Sequence, residues 1–288
     1  MEGSRFSEGD DTVTSELFPP IPTDTTKVVR AIFGSSNFYV ATGDQVNQLF
    51  NGLIPSNSKK SSQNPARIQA ELYLITIFQY LETLPDSQAA DAVRQRRDWK
   101  YALHLPLNAT GFHPSAFCDF RKCLLVDQPG LQTLQTLLAR LADLRPATNG
   151  EHTSLEAGHI VIRVCLFSRL ADTWEAIVQA LEILAARHPG WLRSHALPHW
   201  YERYGYKHQP INFAGDRQEL DVLTRAIGSD GTYLLKAISE SEDQSLQGLP
   251  EVLSLKQVWQ EQYHIVDGKA VWREDLCAGC AVSTSFGN

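Results

Sequence analysis

The chain has 288 residues, 43% of them hydrophobic, a formal net charge of −7 and five cysteines. That length and apolar content suffice for one large or two medium domains with a real core. The negative balance excludes a generally basic nucleic-acid coat, though not one local basic face. No apolar run approaches about 18 residues and no signal peptide opens the chain, which predicts a soluble, cytoplasmic protein without a membrane partner. Few cysteines, odd in number, predict reduced thiols rather than a disulfide framework.

In chain order, residues 1–25 are polar and acidic, with Pro19, Pro20 and Pro22 opposing regular structure, and predict a disordered lead in which Leu17 and Phe18 dock. A short helix and a turn follow between Lys27 and Tyr39. Val46, Leu49 and Phe50 predict a second short helix over Asp44 to Leu53. The stretch from Pro55 to Pro65 reads as a surface loop. Pro65 then opens a long helix whose apolar positions, Ile68, Leu72, Ile75, Phe78 and Leu81, recur near the helical period. Tyr73, Leu74 and Ile77 widen the stripe, so this helix is expected to be central and largely buried.

Pro85 ends it, and Asp86 or Ser87 is placed to cap a short helix, Gln88 to Arg94, with the small apolar face Ala89, Ala90 and Val93. An apolar anchor, Trp99 to Leu103, and an extended Leu105 to Leu107 lead to a turn at Asn108 to Gly111. Pro114 and Ser115 start a helix carrying Phe117, Phe120, Leu124 and Leu125. Leu131, Leu134, Leu138 and Leu141 mark the next helix, and Pro146 to Glu151 a break. Trp174, Ile177, Val178, Leu181 and Leu184 mark another, ended by His188, Pro189 and Gly190. An aromatic connector holds Trp191, Trp200, Tyr201, Tyr204 and Tyr206. Helices over Arg217 to Ile227, Tyr233 to Ile238 and Glu251 to Tyr263 complete the pattern, with turn signals at Asp230-Gly231 and Asp267-Gly268. The last turn joins short strands, Tyr263–Val266 and Ala270–Arg273.

Four patterns bear on chemistry. Arg94, Arg96, Arg97 and Lys100, with Arg121 and Lys122 beyond, are clustered cations of the kind that contact DNA phosphates. The same residues also fit the solvated face of an ordinary helical domain. The helices over 86–94 and 114–124 suggest a helix-turn-helix-like unit, although their separation exceeds its usual tight turn. Cys277 and Cys280 form a CxxC pair without the second pair that a zinc site needs. His195 and His199 stand four apart, but Pro198 between them breaks a shared helical face.

The stretch LPDSQAADAVRQRRDWKYALHLPLNATGFHPSAFCDFRKCLL, residues 84–125, resembles the helical N-terminal domain of DDE-type insertion-sequence transposases. The similarity rests on Asp86, Ala89, Ala90, Asp98, Trp99, Ala102, Leu103 and Leu105, then on Gly111, Phe112, Ser115, Phe120, Arg121 and Leu124. Looser similarity reaches residues 155–273, through Trp191-Leu192-Arg193, Trp200 to Gly205 and Val258 to Gly268. The resemblance implies DNA transposition. In an intact family member, acidic residues on an RNase-H-like core hold magnesium for phosphoryl transfer. Glu156, within Leu155 to Ile160, falls where the family places its first catalytic aspartate. Later acidic positions have no counterpart, so the resemblance implies a transposase fragment without the downstream core, catalytically incompetent by itself and requiring no cofactor.

These readings combine into a mainly α protein: a disordered lead at 1–25, a multi-helical, bundle-like domain at 26–145, a helical region at 146–273 and an irregular tail at 274–288. The expected partners are DNA, in particular transposon inverted repeats, and a second copy or a full-length transposase. Two other functions remain open. One is a helical interaction module that dimerises with or inhibits full-length transposase. The other is a metal-dependent nuclease or strand transferase using Glu156 with Asp216 or Asp230.

Overall fold

The computed structural model of the protein describes residues 16–54, 64–144, 156–205 and 217–273. Twelve α-helices and one β-hairpin are found among them, so the fold is mainly α. The helices are α1 (Thr23–Ile32), α2 (Phe38–Leu49), α3 (Pro65–Glu82), α4 (Asp86–Gln95), α5 (Arg97–Ala102) and α6 (Pro114–Val126), then α7 (Gln128–Ala142), α8 (Ala157–Arg187), α9 (Pro189–His195), α10 (Pro198–Tyr204), α11 (Arg217–Ser239) and α12 (Pro250–Gln262). Strands β1 (Tyr263–Val266) and β2 (Lys269–Trp272) close the described chain. The Cys277–Cys280 pair, Asp216 and the tail lie outside the described residues.

The helices divide into two compact units that interleave along the sequence rather than meeting at residue 145. The first comprises residues 1–74, 96–109 and 139–150; the second holds the rest. Helix α3 begins in the first and ends in the second. Ala70 through Gln79 are all buried on it, as expected of a helix that is apolar nearly all round.

In the first unit, α1 and α2 pack on α5. Val29, Val40 and Tyr101 form a small core. A Cβ on Gly43 would lie 2.7 Å from the Tyr101 ring and 2.8 Å from its carbonyl oxygen, so only glycine permits this approach of α2 to α5. Asn37 caps α2, its side-chain oxygen accepting from the amides of Tyr39 and Val40 at 3.0 and 3.1 Å. Order begins before residue 25. Phe18 is fully buried, and its backbone N–H donates to Asn47 Oδ1 at 2.8 Å. Helices α1 and α2 likewise start earlier than apolar spacing alone predicts, because Pro22 and Asn37 set their beginnings.

In the second unit the 31-residue α8 is the spine. Ile160, Phe167, Ile177 and Leu184 on it belong to a core shared with Leu234 of α11 and Leu255 of α12. Helix α11 runs unbroken from Arg217 to Ser239, where two helices, Arg217 to Ile227 and Tyr233 to Ile238, parted by a turn at Asp230-Gly231 were expected. Both glycines on this helix serve close packing. A Cβ at Gly228 would lie 2.4 Å from the Tyr263 ring, and one at Gly231 would lie 2.6 Å from Trp259. The rings are held there by hydrogen bonds from Trp259 Nε1 to the Gly228 carbonyl (3.3 Å) and from the Tyr263 hydroxyl to the Thr224 carbonyl (2.8 Å). The hairpin matches its two-residue turn. Asp267 and Gly268 both adopt positive φ, 50° and 75°, and Tyr263 pairs with Trp272 across the antiparallel ladder.

Candidate nucleic-acid interface

Helices α4 and α6 pack around one buried ion pair. Helix α3 ends at Thr83, a non-glycine residue in the left-handed conformation (φ 55°), and the Leu84 amide returns to the Gln79 carbonyl at 2.9 Å. Pro85 then turns the chain into α4. Asp86, expected as a cap, instead directs its carboxylate to α6. Arg121 Nη1 donates to Asp86 Oδ1 at 2.8 Å, and Nη2 donates to Oδ2 at 2.7 Å, a bidentate fork. Gln79, fully buried, completes the site. Its Nε2 donates to Asp86 Oδ1 at 2.8 Å, and its Oε1 accepts from Arg121 Nη1 at 3.2 Å. The adjacent carboxylate outweighs the burial that opposes the Arg121 charge and drives its pKa further up.

Small residues let α4 and α6 approach. Ala89, Ala90 and Val93 are buried. Gly111 has φ 73°, and a Cβ there would meet Val93 Cγ1 at 2.9 Å. His113 precedes α6, where its Nδ1 accepts from the Ser115 amide at 3.3 Å and Pro114 takes the first turn. The two helices are not joined by a tight turn, because residues 96–109 between them belong to the other unit.

That intervening segment contains α5, which sequence pattern did not reveal as a helix. Its six residues are too few to show a period. All but Arg97 are buried. The Asp98 carboxylate accepts from the Trp99 amide at 2.9 Å and pairs with Arg96 through both oxygens, at 3.1 and 2.6 Å. The Arg96 guanidinium also lies over the rings of Tyr39 and Trp99, 5.1 and 5.2 Å from their centres.

The six predicted DNA-contacting cations therefore separate. Arg121 is 1% exposed and Lys100 3%. Lys100 Nζ donates to the carbonyls of Leu107 and Ala109, and burial lowers its pKa. Both are corrections: their donors are consumed inside the fold, where no phosphate reaches them. Arg94 is exposed beside Asp91 (3.2 Å), Lys122 is exposed 3.8 Å from Asp119, and Arg97 is exposed. Arg96 is half-buried by its stacking. Arg94 and Lys122 belong to the second unit, Arg96 and Arg97 to the first.

Glu156 stands exposed immediately before α8, where its carbonyl accepts from the Ile160 amide at 3.1 Å. The expected catalytic position thus heads a long helix. Asp230, a suggested partner, lies buried on α11, where it accepts from His199 Nε2 (2.9 Å), Arg203 and the Tyr204 hydroxyl (2.8 Å). These donors hold its pKa low against burial. Among the described residues no cluster of three His, Cys, Asp or Glu is placed to hold a metal ion. No helix among the described residues is long and apolar enough to cross a membrane.

No known protein family, curated protein or solved structure matches the chain.

Proposed function

We propose that the chain is a transposase-type DNA-end-binding protein whose helices α4 and α6 contact the duplex backbone. One observation supports this reading above the others. Of the polar residues that carry the family resemblance, Asp86 and Arg121 are buried and satisfy one another, Asp98 is buried and paired with Arg96, and Ser115 is exposed. Gly111, which also carries the resemblance, occupies a position where a Cβ has no room. On these two helices the framework leaves Arg94 and Lys122 at the surface, and these are the residues to which phosphate contact is assigned.

The experiment is a mobility-shift titration against the DNA ends that flank the coding sequence, with a scrambled duplex of equal length beside it. A salt-sensitive shift specific for the ends is expected. Its absence would sink the DNA reading. Replacing Arg94 and Lys122 by alanine together should flatten the salt dependence by up to about 1.8 in log–log slope, roughly 0.9 for each phosphate no longer neutralised.

A further inference from the structure

We propose that His104 is a proton-operated latch: with both ring nitrogens protonated it ties the strap of residues 16–20, which precedes α1, to α2, and loss of one proton releases the strap. All of these parts lie in the first unit. His104 is 7% exposed and follows α5 in the left-handed conformation (φ 52°), which a non-glycine residue keeps only where its surroundings hold it. Its Nδ1 lies 2.5 Å from the Pro19 carbonyl oxygen, and its Nε2 lies 2.8 Å from the Gly43 carbonyl oxygen. A carbonyl oxygen only accepts, so each contact needs an N–H. A neutral imidazole has one N–H, and the imidazolium has two. Only the charged ring satisfies both contacts.

The charged groups packed around the ring are paired with one another. On α3, Arg67 donates to the His104 carbonyl at 3.3 Å and is neutralised by Glu71 at 2.8 Å. On α2, Asp44 is taken by Arg30 of α1 (2.6 Å) and by the Tyr101 hydroxyl of α5 (2.7 Å). Lys100 of α5 turns to the carbonyls of Leu107 and Ala109. The two carbonyls are therefore the ring's own polar partners. Which contact fails on deprotonation follows from what holds each acceptor. Gly43 is fixed within α2 against the Tyr101 ring, whereas Pro19 is exposed on the strap. The remaining N–H stays on Nε2 with Gly43, and the bare Nδ1 lone pair repels the Pro19 oxygen. Two bonds from Asn47 to the Phe18 backbone, 2.8 and 3.0 Å, and the Phe18 ring, 5.6 Å from that of His104, then hold the strap without its third tie. This proposal is independent of the DNA reading.

The test is an NMR titration of the full chain between about pH 5 and about pH 9, following the His104 ring nitrogens and the Phe18 amide together. At the acid end both ring nitrogens should carry protons and the Phe18 amide should resist exchange. As the ring loses one proton, the Phe18 protection factor, corrected for the intrinsic pH dependence of exchange, should fall by up to about tenfold per pH unit, the limit for one coupled proton. His104→Gln should abolish that dependence, whereas His188→Gln, in the second unit, should leave it intact. A His104 ring with a single proton throughout the range overturns the proposal. So does Phe18 protection that does not follow the ring, or a pH dependence that survives in His104→Gln. The first two readings need only the wild-type chain.

Discussion

Burying a guanidinium is costly unless charge and hydrogen bonding are both met, and Arg121 meets both through Asp86 and Gln79. Removing one partner leaves the other charge stranded. Arg121→Met should therefore lower stability by about 3–5 kcal/mol, read from urea unfolding. The double replacement Asp86→Leu with Arg121→Met should recover most of that loss, because no buried charge remains. A double variant as unstable as the single one would show that the pair does not act as a unit. Asp172 gives the opposite pH signature from a paired carboxylate. Partial desolvation and then the nearby Asp86 carboxylate push its carboxyl up to about 6, an effect that the side chain's exposure to solvent weakens, so the native state holds the proton more tightly. Stability from this group is present at low pH and lost as pH rises from about 4 through 6. Asp172→Asn should accordingly unfold at higher urea than wild type at neutral pH, with the difference vanishing near about pH 4.

At the scale of elements, glycine has two meanings in this chain. Gly158, in the first turn of α8, has open space where its Cβ would be. Gly158→Ala should stabilise by up to about 1 kcal/mol through the lower entropy of the unfolded chain. Gly228 lies under the Tyr263 ring, and Gly228→Ala should destabilise by roughly 1–3 kcal/mol because the ring and its hydrogen bond must shift. Thermal melting of the two variants measures both signs. A stabilising Gly228→Ala would mean that α11 and the hairpin give way more easily than their contacts imply. The misread turn in α11 has the same origin: Asp-Gly is a turn signal when its surroundings are solvated. Here the Asp230 carboxylate is held by three side chains of α10, and Gly231 is covered by Trp259.

At the scale of the molecule, a net charge of −7 and a pI near 5.7 oppose general adhesion to DNA. Any DNA contact must be local, through the few cations that folding leaves outside. Non-specific affinity should be weak at physiological salt, in contrast to the ends. The units interleave in sequence because the chain leaves the second at residue 95 and returns at 110. Sequence period is local and carries no record of such a return.

Much of the chain's local form is legible without coordinates. The apolar period specifies α3, α6, α7 and α12, and Pro65, Pro85 and Pro114 mark where helices begin or stop, because a fixed φ and a missing N–H act on adjacent residues alone. The Asp267-Gly268 hairpin is equally local. Which arginine is a surface cation and which is a structural pin is decided only by tertiary structure. Arg94, Arg97 and Arg121 are alike in sequence character, and only the approach of α6 to α4 brings a carboxylate and a glutamine within reach of one of them.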